Sequence, residues 1–116
     1  MRNDKLSEQS LSFSIEIINL VKHLKENRES IISIQIGRSA TSIGANIHEA
    51  NYAHGKADFI AKLQISLKEC YETEYWLELF VKSDFISRDE AKNLYNNCGT
   101  IRRLLIASIN TAKENK

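Results

Sequence analysis

Proline is absent from the 116 residues of the chain, and glycine occurs only at Gly37, Gly44, Gly55 and Gly99. Folds built on many tight turns draw on both residues, so this scarcity argues against an all-β protein. It also excludes collagen-like, proline-rich and linker-dominated chains. Cysteine is nearly as scarce. Cys70 and Cys98 both fall within apolar helical patterns, where a free thiol behaves as a small buried hydrophobe. A disulfide between them is allowed but not demanded, and nothing implies secretion. No run approaches the roughly 18 uncharged apolar residues that a membrane span needs. The opening residues Met1–Glu8 carry no apolar signal core, so a cytoplasmic protein with no membrane partner is expected. A surplus of one charge is missing as well. Sixteen Lys and Arg stand against fifteen Asp and Glu, for a net charge of +1, and neither half of the chain is a basic arm. Charge therefore gives no global argument for nucleic acid.

What is present is an ordinary globular balance, 42% hydrophobic and 27% charged, in a length that suits one domain over residues 1–116. Hydrophobic periodicity divides it into four helical segments, approximately 7–26, 30–53, 56–82 and 87–113. In the first, Leu11, Ile15, Ile18 and Val21 form one apolar line, with Ile17, Val21 and Leu24 beside it. A polar break at Glu26-Asn27-Arg28-Glu29 follows, and Ser30 is placed to cap the second segment. The stripe there is Ile36, Ala40, Ile43, Ile47 and Ala50, with Gly55 expected to close the helix in a left-handed conformation. The third carries Phe59, Leu63, Leu67 or Ser66, Cys70, Leu77 and Val81, with Asp58 favourably placed in its first turn. The fourth opens on Ser87-Arg88-Asp89-Glu90, a capping box. It continues through Ala91, Leu94, Cys98, Ile101, Leu105 and Ile109. Gly99 inside it implies either a bend or, the preferred reading, a neighbouring helix that approaches closely. Four helices of similar length with short connections fold back on one another, so the expected architecture is all-α: an antiparallel up-down-up-down four-helix bundle.

Catalytic patterns are mostly rejected on spacing. His48-Glu49-Ala50-Asn51-Tyr52 begins like a zinc-protease helix, but the second imidazole position is Tyr52. No glutamate is followed three residues later by histidine, as a di-iron bundle requires. Cys70 has no evident base, and no phosphate-binding glycine loop occurs. No catalytic residue, metal ligand or cofactor is expected.

A polar line on the second helix, Ser39, Ser42, Asn46 and Glu49, flanks its apolar stripe. If the second and third helices are antiparallel about His54-Gly55, positions summing to about 110 oppose one another. That pairs Arg38 with Glu72 and Glu49 with Lys62. Gly37, Ala40, Gly44 and Ala45 would let backbones approach. Tyr71, Tyr75, Trp76 and Phe80 exceed what one core stripe needs, and surplus aromatics suit self-association. Lys22, Lys25, Arg38, Arg88, Lys92, Arg102 and Arg103 would form the basic patch of an RNA-binding protein, with Arg88, Lys92, Arg102 and Arg103 as nucleic-acid contacts.

The runs Gly37-Arg38-Ser39-Ala40-Thr41-Ser42-Ile43-Gly44-Ala45-Asn46-Ile47-His48-Glu49-Ala50 and Asp58-Phe59-Ile60-Ala61-Lys62-Leu63-Gln64-Ile65-Ser66-Leu67-Lys68-Glu69, with Glu72-Thr73-Glu74-Tyr75-Trp76-Leu77 after them, carry a resemblance. They resemble the bacterial four-helix bundle family of proteins encoded in 23S ribosomal RNA intervening sequences. That family is related to the accessory variability determinant proteins of diversity-generating retroelements. The resemblance implies a non-catalytic four-helix subunit that assembles into a homopentameric ring, with no cofactor. For the retroelement branch it implies contact with nucleic acid and with a nucleic-acid-handling protein. Arg38, Asn46, Glu49, Glu69 and Glu72 are shared positions without an assigned catalytic role. A second reading makes those five residues the polar set of a small-ligand binder or enzyme.

Overall fold

A computed structural model describes residues 4–26 and 31–115. Four helices follow in order: α1 (Asp4–Glu26), α2 (Ile31–Ala50), α3 (Lys56–Lys82) and α4 (Arg88–Glu114). Ser30 and the break at 27–29 lie outside the described residues. Each helix packs against its chain neighbour and α1 closes the square against α4, while the diagonal pairs do not meet. The result is the expected up-down-up-down bundle, a rod of about 50 × 20 × 19 Å.

One continuous core runs through it, including Leu6, Phe13, Ile17, Leu24, Ile36, Ile43, Ile47, Leu63, Leu77, Phe80, Ile101 and Leu105, all essentially inaccessible. The stripes of α2 and α4 are buried as their periodicity predicts. On α3 the third-turn position goes to Ser66 rather than Leu67, and the last to Phe80 rather than Val81. The first helix differs more. Its inner face is Leu6, Ser10, Phe13, Ile17 and Leu24, and the expected line Leu11, Ile15 and Ile18 points to solvent. Sequence offers two apolar stripes on α1, about a third of a turn or more apart at 100° per residue. The one bearing Phe13 is the stripe that fills the core.

Gly55 does not end α2 in a left-handed conformation. Its φ of 166° is extended backbone, and it stands at the N-cap of α3. The end of α2 is instead closed by tight bonds, from the amide of Tyr52 to the carbonyl of Glu49 (3.0 Å) and from Ala53 to Ala50 (3.1 Å). These satisfy the last carbonyls without a left-handed residue. The left-handed closure occurs at the other tight connection. Asp84 has φ 65°; its amide bonds Val81 O at 3.1 Å, and the Phe85 amide reaches Phe80 O at 3.0 Å. With the Phe80 and Phe85 rings edge-on at 6.2 Å, this is a complete Schellman motif around a non-glycine residue. Two residues later the expected capping box begins α4. The Ser87 hydroxyl accepts from the Glu90 amide, and the Glu90 carboxylate accepts from the Ser87 amide, both at 3.0 Å.

Gly99 has no helix against it. A Cβ there would meet only the guanidinium ends of Arg103 (3.3 Å) and Arg102 (3.5 Å), both from its own helix. Gly44 does serve close approach, though towards α1: its Cβ would stand 3.3 Å from Ser14 Oγ.

Candidate functional site

The most extensive helix contact is between α2 and α3, and small hydroxyl residues build it. Ser39, Ser66 and Thr73 are fully buried. The Ser39 and Thr73 hydroxyls bond each other at 2.9 Å, Ser66 donates to Ile43 O at 2.9 Å, and Thr73 donates to Glu69 O at 2.8 Å. Short side chains that can satisfy themselves on nearby carbonyls let the two backbones close up without leaving an orphaned polar atom. None is left among the described residues. These contacts set the register that the sequence predicts.

Where the seam reaches the surface, Arg38 lies against Glu72, with Glu69 Oε2 3.4 Å from its other terminal nitrogen. Trp76 Nε1 donates to the same Glu72 oxygen at 2.9 Å. The Arg38–Glu72 half of the predicted pairing is therefore present. No ion pair joins Glu49 to Lys62 among the described residues. Asn46 turns back on its own helix, donating to Ser42 O (2.9 Å) and to Ser42 Oγ (3.1 Å). The five shared polar positions do not converge: three form a salt-bridge cluster, one caps its own turn, and Glu49 stands exposed.

A concavity does exist, but elsewhere. A groove of about 340 Å³ lies between α1 and α2, lined by Ser10, Leu11, Ser14, Thr41, Gly44 and His48 among others. None of Arg38, Asn46, Glu49, Glu69 or Glu72 lines it. The His48 ring lies against Tyr52, 5.3 Å between ring centroids and tilted by 54°. Among the described residues no three His, Cys, Asp or Glu side chains are grouped to hold a metal ion, and no helix is long and apolar enough to cross a membrane.

The seven cations come from three parts of the fold. Lys22 and Lys25 belong to α1, Arg38 to the α2–α3 seam and the remaining four to α4. The α4 set shares one arc of about 100° on that helix, but α3 carboxylates hold two of its members. Arg88 Nη2 is 3.2 Å from Glu78. Arg102 Nε is 2.8 Å from Glu74 while its guanidinium lies 6.0 Å from the Tyr71 ring centre. The hydrogen bond to Glu74 holds the proton on Arg102 more firmly than usual. Tyr95 and Arg88 together keep the Glu78 carboxyl below its ordinary range, through hydrogen bonds from each. Lys92 and Arg103 have no acidic partner among the described residues.

Sequence reasoning missed a surface feature. The stripe of α1 that it assigned to the core, Leu11 (65% exposed), Ile15 and Ile18, is exposed, and so is Ile34 of the neighbouring α2. On the opposite side of the square, Tyr71 and Tyr75 (60% exposed) stand out from α3, with Ile106 of α4. Of the four aromatics taken as surplus, Phe80 is core and Trp76 is half-buried. The signal that could have found the α1 face was already visible: Ile15, Ile17, Ile18, Leu20 and Val21 are more apolar residues than one stripe can bury.

The profile of the 23S rRNA-intervening sequence protein family matches residues 2–107. A crystal structure of a protein of unknown function from the S23 ribosomal protein family of Bacteroides thetaiotaomicron is similar to this chain at 48% identity. The match has a TM-score of 0.88 and covers 90% of this chain and 97% of that one. A search of curated proteins finds no match. With the four-helix square, the α2–α3 register and a family match over nearly the whole length, the chain belongs to the 23S rRNA-intervening sequence protein family.

Proposed function

We propose that the protein is a non-catalytic, self-assembling subunit whose α1/α2 face docks on the α3/α4 face of the next copy. The observation that carries this is the pair of exposed apolar faces on opposite sides of one square bundle. A monomer's own core leaves neither of them covered, and large apolar side chains grouped on one exposed face mark an interaction site. Unlike faces on opposite sides join head to tail, and a head-to-tail contact closes into a ring or runs on as a filament. The homopentameric ring implied by the resemblance is the closed form. The enzyme or small-ligand reading has less support, because its five polar residues stand outside the groove and Arg38 is already neutralised.

Mixing of face variants tests the docking. Leu11→Glu with Ile15→Glu spoils one face, and Tyr71→Glu with Tyr75→Glu the other. Each variant alone should be monomeric by light scattering, while an equimolar mixture should give a discrete heterodimer through the one intact contact. A wild-type chain that stays monomeric at micromolar concentration would overturn the proposal.

Nucleic-acid contact is a second, subordinate part of the reading. It rests on Lys92 and Arg103, two cations on one face of α4 without an acidic partner among the described residues, which an assembly would repeat around its circumference. In the assembled protein, Lys92→Glu with Arg103→Glu should abolish a salt-dependent retention of structured RNA. Retention that is absent in the wild type, or insensitive to salt, removes this part and leaves self-assembly standing.

A further inference from the structure

The assembly reading leaves one reactive pair without a role. Cys70 on α3 and Cys98 on α4 are both free and both fully buried. They face each other across the α3–α4 seam, with Cys98 Sγ donating to the backbone carbonyl of Cys70 at 3.6 Å. The neighbouring Cys70 side chain, and after it burial, hold Cys98 protonated well above the usual thiol range. With one sulfur 3.6 Å from the other cysteine's own carbonyl, rotation about the Cα–Cβ bonds, rather than transport of a helix, is the movement that disulfide geometry asks for. We propose that Cys70 and Cys98 are a latent disulfide latch, closed by a hydroperoxide into a covalent tie between α3 and α4.

The chemistry is a two-electron oxidation. One thiol gives up its proton and attacks a peroxide oxygen; the O–O bond breaks, leaving a sulfenic acid and releasing water. The second sulfur then attacks the sulfenic sulfur, the S–O bond breaks, and a second water leaves. Two thiols and one hydrogen peroxide become one disulfide and two waters.

Access and reactivity follow from the neighbours. Gly99, next to Cys98, offers no side chain, and the atoms over it are the ends of Arg102 and Arg103. These are the far tips of flexible side chains, so their displacement opens a short path beside Cys98 for a molecule as small as hydrogen peroxide. The Arg102 charge opposes the rise in the Cys98 pKa, but Glu74, paired with that arginine, adds to it more strongly. The Cys70 side chain and burial still hold the thiol protonated, so closure should be slow compared with that of an exposed, low-pKa thiol.

Intact mass of the folded full-length chain, before and after hydrogen peroxide, decides the matter. The expected product is a monomer lighter by two hydrogen atoms, resistant to alkylation after denaturation and restored by dithiothreitol. The cysteines are 28 positions apart, and closing a loop of that size should raise the melting temperature by about 10 °C. Cys98→Ser should lose the mass change. Should that variant not fold, the wild-type mass alone is decisive. Two thiols still open to alkylation, sulfinic acids without loss of hydrogen, or only disulfide-linked dimers would each overturn the proposal. None of these readouts depends on whether copies self-associate.

Discussion

Two backbone positions show how far a single residue's burden can be read from its surroundings. Asp84 holds a left-handed φ of 65° inside a Schellman motif, a conformation in which any side chain meets its own backbone. Asp84→Gly should stabilise the bundle by about 0.5–1 kcal/mol in urea unfolding. Gly99 is the reverse case: helical, with only flexible arginine tips near its missing Cβ. Gly99→Ala should gain up to about 1 kcal/mol in helix propensity; a loss instead would mean that the guanidinium groups cannot give way. Glu72 anchors both Arg38 and Trp76. Because Arg38 is half exposed and Glu72 about a third exposed, Glu72→Ala should cost no more than about 1 kcal/mol. Glu49→Ala, with no ion pair to lose among the described residues, should cost nothing measurable.

The fourth helix owes its start to one reciprocal cap. Ser87→Ala should cost about 1 kcal/mol. The cap also titrates. Hydrogen bonds from the Ser87 backbone and then its hydroxyl hold the Glu90 carboxyl below its ordinary value of 4.5. A carboxyl depressed in the folded state contributes stability that is complete above its unfolded value and lost as pH falls through the lower folded one. Wild type should therefore lose more stability than Glu90→Gln between pH 5 and strongly acidic solution, as followed by helical circular dichroism. This cap was legible because its four residues are contiguous and each has one chemical job. The α2–α3 register was legible for a related reason, since Arg38 and Glu72 fit an antiparallel pair about a known turn. The face of α1 was not. With Leu11, Ile15 and Ile18 competing against Phe13, Ile17 and Leu24, periodicity supplies two stripes, and only the volume available between three other helices chooses the one with phenylalanine. Gly55 misled because a glycine after a helix suggests a left-handed stop, whereas tight amide-to-carbonyl bonds had already satisfied the last turn. The inward turn of Asn46 was not legible either: it finds its partner one turn back, and the spacing of a stripe does not reveal that.

At the scale of the molecule, the core and the exposed apolar faces proposed to dock are separate, and that separation has a measurable consequence. The side chains that fill the interior, from Leu6 and Phe13 to Leu105, are covered by the four helices of one copy. A subunit stripped of its partners should therefore keep its fold, unlike an obligate oligomer whose monomer lacks a core. Association still binds only the native state, so it raises apparent stability by mass action. The melting temperature of the wild type should accordingly rise with protein concentration. In the Leu11→Glu/Ile15→Glu variant the chain should remain helical and melt cooperatively, at a temperature that no longer depends on concentration. The substitutions replace exposed apolar groups with charge, so they remove the contact without opening a cavity. A variant that unfolded outright would place those side chains in the core of the fold. A wild type whose melting temperature ignored concentration would deny that the two faces meet.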